Sequence, residues 1–167
     1  HGMQGKFCLF DPSVKVPLII SYPTALPQGK VCDALVEQLG IYPTLTDLTG
    51  TGPVGAPAYR PFNGVPDSIS DVRFTELVRS PDLPGPDAVF SEYNLRSDNC
   101  QYMMRSSQYK YIHNDGSIDE LYDLVNDPEE NVNRVADSGM ADLCRDLRAQ
   151  LFDWFDPNKN QFRKTPL

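Results

Sequence analysis

An uninterrupted apolar run near the start of the chain, Val16-Pro17-Leu18-Ile19-Ile20-Ser21-Tyr22, constrains the fold more than any other feature. Apart from Ser21 it lacks polar alternation, which is typical of a strand buried on both faces of a parallel sheet. Such a strand needs neighbours on both sides, and the sequence contains no βαβ unit to supply them. We therefore expect a strand at residues 16–22 that belongs to the end of a larger α/β domain, with residues 1–84 as its remnant.

Residues 41–49 predict a packing helix. Pro43 fits only the first turn of a helix, where its missing N–H is no loss, and Gly50 stands where a C-cap glycine would. Three apolar residues share one face of this helix: Ile41, Leu45 and Leu48. Residues 51–71 are rich in Gly and Pro and predict a long loop, which in a compact domain usually covers a site or wraps another subdomain.

From residue 85 the pattern changes to short strands joined by tight turns. Strands are expected over residues 88–93, 101–106, 109–113 and 119–124, with one turn at Ser107-Gln108 and another at Asn114-Asp115-Gly116. Four consecutive strands of this kind predict an antiparallel meander.

A single long helix follows the meander. Asp137 and Ser138 are expected to cap it, and it should run to Phe155. Its apolar stripe consists of Met140, Leu143, Leu147, Leu151 and Trp154. The fold class is therefore α+β: a C-terminal four-stranded antiparallel sheet packed by one long helix in two layers over residues 85–156, preceded by the α/β remnant. Residues 157–167 read as a polar tail.

Composition excludes several classes of partner. The net charge of −8 argues against nucleic acid or an anionic membrane surface, since either demands a basic stripe. No apolar stretch approaches 18 residues, so no transmembrane segment is expected. The four cysteines are scattered without a CxxC, which argues against zinc and favours isolated thiols over the alternative of one disulfide.

An ordered series of short strings carries a resemblance to a known family. The series comprises His1-Gly2-x-x-Gly5-Lys6, Val16-Pro17-Leu18-Ile19-Ile20, Tyr42-Pro43-Thr44-Leu45-x-Asp47-Leu48-x-Gly50, Met104-Arg105, Tyr109-Lys110-Tyr111-Ile112, Glu120-Leu121-Tyr122-Asp123-Leu124 and Asn126-Asp127-Pro128-x-Glu130-x-x-Asn133. Across residues 1–155 it resembles the carboxyl-terminal third of an arylsulfatase-like sulfatase of the alkaline-phosphatase superfamily. One departure is Gly40, where the family usually has Asp.

The resemblance implies a parent enzyme that hydrolyses a small aryl or carbohydrate sulfate ester. It also implies a formylglycine nucleophile made from Cys or Ser and a calcium ion, both held by the part of the fold that lies upstream of this chain. No metal ligand and no cofactor are assigned to these residues, so the 167-residue chain alone is expected to be inactive. The resemblance favours a periplasmic or secreted location.

Lys6 is the one site residue that the resemblance carries over. In the family, the lysine that ends the His-Gly-x-x-Gly-Lys string reaches the sulfate. An ammonium group can neutralise sulfate oxygens and stabilise negative charge on the bridging oxygen as the ester bond breaks. Gly2 and Gly5 would let the backbone pass close to a ligand.

Two further polar residues lie on the expected strands. His113 ends a strand beside a turn, which is typical of a surface histidine. Glu92 falls where family members often carry Glu, and a cross-strand or loop hydrogen bond is its expected role.

Charged residues outside these two carry weaker signals. Asp127, Glu129 and Glu130 could suggest a cation site, but a solvated acidic turn is the better interpretation. Arg96 and Arg105 are secondary candidates for reaching substrate from the edge of the sheet.

Two other functions fit the same sequence. A phosphonate monoester or phosphodiester hydrolase of the superfamily would share the lysine string and the apolar run. A non-enzymatic α+β binding or assembly module could inherit the fold without the chemistry. Whichever function applies, the apolar run at residues 16–22 lacks its natural partner strands, so self-association of the chain is expected.

Overall fold

A computed structural model describes residues 7–51, 72–93 and 99–155 of this chain. The chain divides into two compact units, one of His1–Pro17, Phe62–Gly64 and Phe90–Leu167 and the other of Leu18–Pro61 and Val65–Val89. Among the described residues, 7–17 therefore group with the sheet-forming part of the chain, although the sequence pattern assigns them to the α/β remnant.

The described strands form one four-stranded antiparallel sheet. Its strands are β1 (Ala88–Tyr93), β2 (Gln101–Ser106), β3 (Tyr109–Asn114) and β4 (Glu120–Asp123), in the spatial order β1-β2-β3-β4. In the register, Met103 lies opposite Ile112 and Tyr111 lies opposite Leu121. The Ser106 hydroxyl accepts the Tyr109 N–H at 2.9 Å and closes the turn between β2 and β3. The predicted meander is confirmed.

A long helix covers one face of the sheet. Helix α4 (Ala141–Trp154) packs against β2 and β3, and its Leu147 and Leu151 are buried. Phe155, just past the helix, lies with its ring 4.4 Å from the ring of Tyr102 on β2. The predicted helix and its apolar stripe therefore form the expected layer.

The helix start differs from the prediction. A 3₁₀ turn, Ser138–Met140, precedes α4, and Asp137 makes no side-chain capping bond. Its carboxylate instead accepts a hydrogen bond from Nε of Arg134 at 2.9 Å. The capping prediction for Asp137 is wrong because a nearby guanidinium competes for the carboxylate.

The opposite face of the sheet is covered by the N-terminal segment. Leu9 forms a buried cluster with Met103, Ile112 and Tyr122, and the Phe10 ring meets the Tyr122 ring edge-on at 5.7 Å. The short helix α1 (Asp11–Val14) continues this segment. The sheet thus lies between two layers, whereas the sequence predicted a layer on one face alone.

The other unit contains the predicted packing helix. Helix α2 (Ile41–Thr49) follows the 3₁₀ turn Gln38–Gly40, and Gly50 ends it in the left-handed region at φ 65°. The N–H of Phe74, the residue before helix α3 (Thr75–Arg79), donates to the Thr44 hydroxyl at 2.9 Å. Helix, first-turn proline and glycine cap are as predicted.

Gly40 permits a close contact within the same unit. A Cβ placed on it would lie 2.2 Å from the Val72 carbonyl oxygen and 2.8 Å from the Phe74 ring. No side chain fits there unless the backbone at Val72 shifts.

The expected strand at residues 16–22 is not formed. These residues have no regular secondary structure, and Ile19 is 89% exposed, with Val16, Leu18 and Tyr22 also exposed. A strand gains its hydrogen bonds from neighbours, and β1 to β4 pair only among themselves within the described part of the chain. The prediction of a buried strand is therefore wrong for this chain.

Some predicted segments fall outside the described residues, namely most of the 51–71 loop and the 157–167 tail. Among the helices that are described, none is long and apolar enough to cross a membrane. All four cysteines lie in described segments, and no disulfide joins them.

Candidate functional site

The predicted sulfate-binding residue, Lys6, lies outside the described residues, and so does Arg96. The next polar cluster along the described part of the chain includes a contact to the carbonyl of Leu9, three residues after Lys6. It unites side chains from α1, β2, β3 and the loop after β4. We refer to Asp11, Arg105, Lys110 and Glu130 as the buried ion cluster.

Lys110 is the centre of the buried ion cluster. Its side chain has no solvent exposure, and its ammonium lies 2.5 Å from Oδ1 of Asp11 and 2.5 Å from Oε1 of Glu130. It also donates to the Leu9 carbonyl at 3.2 Å. Burying an ammonium removes its hydration, and the two carboxylates compensate for that loss.

Asp11 is held from two sides. Nε and Nη2 of Arg105 donate to its two carboxylate oxygens, each at 3.2 Å, while Lys110 contacts one of them. Burial alone would raise the pKa of Asp11, but the hydrogen bonds from Lys110 and Arg105 outweigh it and hold the pKa below its usual value. The Arg105 guanidinium is thus committed to Asp11, which argues against the predicted role of reaching substrate.

Glu130 contradicts the prediction of a solvated acidic turn. It is 1% exposed, and its carboxylate accepts the backbone N–H of Asp11 at 2.6 Å as well as pairing with Lys110. Its backbone adopts the left-handed region at φ 57°, an uncommon conformation for a residue other than glycine. Only Glu129 is exposed as predicted, and Asp127 is half-buried with its carboxylate bonded to the Val132 N–H at 2.8 Å.

His113 is buried, so the prediction of a surface histidine is wrong. Its Nδ1 lies 2.8 Å from Oδ1 of Asp119, and its ring packs edge-on against Phe152 of α4. Burial would raise the pKa of Asp119, but hydrogen bonds from His113 and Tyr111 hold it below its usual value. Tyr111 donates to the other oxygen of Asp119, and burial, followed by that carboxylate, raises the pKa of its phenol. This second cluster fixes α4 to the sheet.

Glu92 lies on the same face of β1 as Phe90, whose ring stacks on Trp154 at 4.4 Å. Its Oε2 is buried without a hydrogen-bond partner, while the hydrogen bond expected for this residue stays a prediction. Burial raises the pKa of Glu92 to about 7. A carboxyl group with this pKa is partly protonated near neutral pH.

A metal centre is not formed by this part of the protein. Across residues 7–51, 72–93 and 99–155, no group of three or more His, Cys, Asp or Glu side chains could hold a metal ion. The carboxylates closest to such an arrangement, Asp11 and Glu130, have the Lys110 ammonium as their cation. The buried ion cluster can therefore fix backbone positions but offers no free acid, base or nucleophile.

Sequence reasoning missed the buried ion cluster, although one signal was available. Lys110 sits between Tyr109 and Tyr111 in an inner strand of the meander, of which only one face was predicted to be covered. With the second face covered as well, Lys110 requires a buried counter-charge, and the acidic residues after β4 were its nearest suppliers in the sequence. Asp11 gave no such signal, since the N-terminal segment was not expected to touch the sheet.

The comparison with protein families shows which family this chain belongs to. The family model for N-sulphoglucosamine sulphohydrolase, C-terminal, matches residues 1–156. The chain belongs to this sulfatase family. The match begins before Lys6 and extends just past α4, so it includes the predicted lysine string, the buried ion cluster and the sheet.

Curated relatives of this sulfatase domain are sulfatases. The ulvan-active sulfatase of Formosa agariphila is 23% identical over 188 residues, covering 92% of this chain and 35% of the relative. The Delta 4,5-hexuronate-2-O-sulfatase of Bacteroides thetaiotaomicron is 30% identical over 167 residues, covering 98% and 33%. The chain thus spans about a third of the length of these relatives.

Solved structures share the fold. A Bacteroides thetaiotaomicron protein assigned to the sulfatases matches with a TM-score of 0.62 and 27% identity, covering 84% of this chain and 30% of that one. The phosphonate monoester hydrolase of Agrobacterium radiobacter matches with a TM-score of 0.52 and 25% identity, covering 69% and 24%. The α+β class predicted from the sequence is confirmed.

Proposed function

We propose that this chain is the C-terminal part of an enzyme that hydrolyses sulfate esters of carbohydrates. The observation that carries the proposal is the family match over residues 1–156, which includes the lysine string. The substrate class rests on the relatives, among them a hexuronate-2-O-sulfatase and an N-acetylglucosamine-6-O-sulfatase of Bacteroides thetaiotaomicron.

In the proposed reaction, water adds to the sulfate ester and the bond between sulfur and the bridging oxygen breaks. The products are the sugar alcohol, inorganic sulfate and a proton. Lys6 binds the sulfate group: its ammonium neutralises a sulfate oxygen and stabilises the negative charge that develops on the bridging oxygen. Such a fixed positive charge raises the rate most when its attraction to the reacting group is stronger in the transition state than in the ground state.

The nucleophile and the metal of this reaction are proposed to lie outside this chain. The described residues do not fit a calcium site. No Cys or Ser of the sequence stands in a Cys/Ser-x-Pro-x-Arg string, the pattern from which formylglycine would be made. We therefore propose that the 167-residue chain alone is inactive and that it completes and supports a site formed by the rest of the enzyme.

Release of inorganic sulfate tests the proposal. The full-length protein that contains this chain would be incubated with 2-O- and 6-O-sulfated uronates and hexosamines, and free sulfate measured by ion chromatography. We expect release from at least one of these esters and none with the isolated chain. Turnover of an aryl or sugar sulfate by the isolated chain would contradict its proposed inactivity.

A second candidate function is hydrolysis of phosphonate monoesters. The match to the Agrobacterium radiobacter phosphonate monoester hydrolase favours it, because both enzyme classes would use this fold. The same incubation with a phenyl phosphonate monoester separates the two. Faster turnover of the phosphonate than of every sulfate ester would favour this second function.

A further inference from the structure

The buried ion cluster holds residues 9–11, which follow Lys6 in the sequence, through hydrogen bonds and ion pairs. Three of its contacts reach the backbone or side chain of residues 9–11: the Leu9 carbonyl at 3.2 Å, the Asp11 N–H at 2.6 Å and the Asp11 carboxylate at 2.5 Å. The donors and acceptors come from β3 and from the loop after β4. Parts of the chain that are 99 and 119 residues apart in sequence therefore converge on this segment.

The ionic composition of this cluster is not what maximal stability would select. Replacing a buried ion pair by apolar groups of similar volume is often neutral or stabilising, whereas removing one partner is strongly destabilising. Here two cations and two carboxylates balance, and Leu9, Met103 and Ile112 already form an apolar cluster on the same face. Charged contacts depend on direction as well as distance, so they hold a segment in one position more strictly than apolar contacts do.

The backbone of Glu130 is a second, independent indication that residues 9–11 are held in one position. Glu130 turns its carboxylate inward from a left-handed backbone conformation at φ 57°. A residue other than glycine rarely adopts that conformation unless the surrounding structure requires it, and such strain is concentrated at functional positions. The carboxylate obtained in this way contacts both Lys110 and the Asp11 N–H.

We propose that Lys110, together with Asp11, Arg105 and Glu130, positions the segment that carries Lys6 for sulfate binding. This inference rests on the proposed function of Lys6. Leu9 follows Lys6 by three residues, so a displacement of residues 9–11 is transmitted along a short connection. An error of about 1 Å in the position of a binding group can lower a catalytic rate about 100-fold. The four residues are positioning residues, since none is proposed to touch the substrate.

A double-mutant cycle in the full-length protein tests this. The charge-balanced variant Lys110→Met/Glu130→Gln removes the inner ion pair and keeps the Asp11–Arg105 pair, so that folding is retained. We expect kcat/KM for the sulfate ester to fall about 10- to 100-fold, with kcat affected more than KM. In a Lys6→Ala background the same pair of substitutions should have almost no further effect, because both changes act through one group.

Arg145→Met is the matched control. Arg145 is an exposed cation on α4 that pairs with Asp142 and Asp146, and its loss should leave kcat/KM unchanged. Hydrogen exchange supplies a readout independent of activity: amides of residues 7–14 should lose protection about tenfold or more in the Lys110→Met/Glu130→Gln variant, while those of α4 keep theirs.

Each outcome decides a different point. If the decreases in kcat/KM caused by the cluster substitutions and by Lys6→Ala multiply when the two are combined, the positioning proposal alone is overturned. Unchanged hydrogen exchange of the amides in residues 7–14 would overturn it as well. A Lys6→Ala enzyme with undiminished turnover would overturn the sulfate role of Lys6 and the positioning proposal with it. If Lys110→Met/Glu130→Gln does not fold, Arg105→Gln replaces it in the same cycle, with the same expected pattern.

Discussion

Glu92 offers a sharp test of the packing between β1 and α4. Its carboxyl lies on the face of β1 whose Phe90 stacks on Trp154, and one of its oxygens is buried without a hydrogen-bond partner. Burial raises its pKa from 4.5 to about 7. The substitution Glu92→Gln keeps the shape of the side chain and removes its ionisation.

The sign of the effect follows from the two pKa values. Below pH 4.5 the carboxyl of Glu92 is protonated in the folded and unfolded chain alike. Between pH 4.5 and 7 the folded chain keeps this proton and the unfolded chain loses it, so the free energy of unfolding falls as pH rises, and it levels off above pH 7. A shift of this size corresponds to about 3 kcal/mol for a fully buried group. Glu92 is half-buried, and solvent screening reduces the expected effect to ~1–2 kcal/mol.

Urea unfolding of the chain, followed by fluorescence of its single tryptophan, Trp154, measures this directly. Glu92→Gln should raise the free energy of unfolding by ~1–2 kcal/mol at pH 8, and the gain should shrink to less than half at pH 5.5. Glu76→Gln, which alters an exposed carboxylate paired with Arg79, is the control and should change it by only a few tenths of a kcal/mol. A gain that does not vary with pH, or a loss at pH 8, would refute the assignment of the raised pKa to burial of Glu92.

Three further predictions concern packing and association. Leu151→Ala should lower the free energy of unfolding by about 2–5 kcal/mol in urea titrations, because the side chain is 1% exposed beneath the sheet; an effect below 1 kcal/mol would contradict this packing. Gly40→Ala should destabilise by more than about 1 kcal/mol, since its Cβ would lie 2.2 Å from the Val72 carbonyl oxygen, and an unchanged thermal midpoint would rule out the close contact. Self-association stays a prediction, now based on exposed apolar side chains: sedimentation at micromolar concentration should show dimers or larger species, and Ile19→Lys should shift them towards monomer, whereas a monomeric parent chain would refute it.

The elements that the sequence predicted well are those determined by local pattern. Strands β1 to β4 are short segments bounded by turn signals within a few residues of each other, and α4 has an apolar stripe that shows which face is buried. Helix α2 was bounded by Pro43 and Gly50, whose backbone restrictions act locally. The family resemblance also came from local strings whose order along the chain could be read directly.

The features that failed depend on contacts between distant residues. The run at residues 16–22 has the composition of a buried strand, but a strand exists only where another strand pairs with it. His113 and Glu130 were assigned to solvent, yet both are buried, and their hydrogen-bond partners lie 6 and 119 residues away in sequence. Such pairings are set by the folded topology, and sequence spacing does not reveal them.

Sulfate release by the full-length protein and by its Lys6→Ala variant tests the central claim most directly. The account predicts that the parent enzyme releases inorganic sulfate from a sulfated sugar, and that Lys6→Ala lowers kcat/KM by about 100- to 1000-fold. Lys30→Ala, which removes an exposed lysine in the other unit, should have no effect. A Lys6→Ala enzyme as active as its parent, or a parent that turns over a phosphonate monoester and no sulfate ester, would contradict the account.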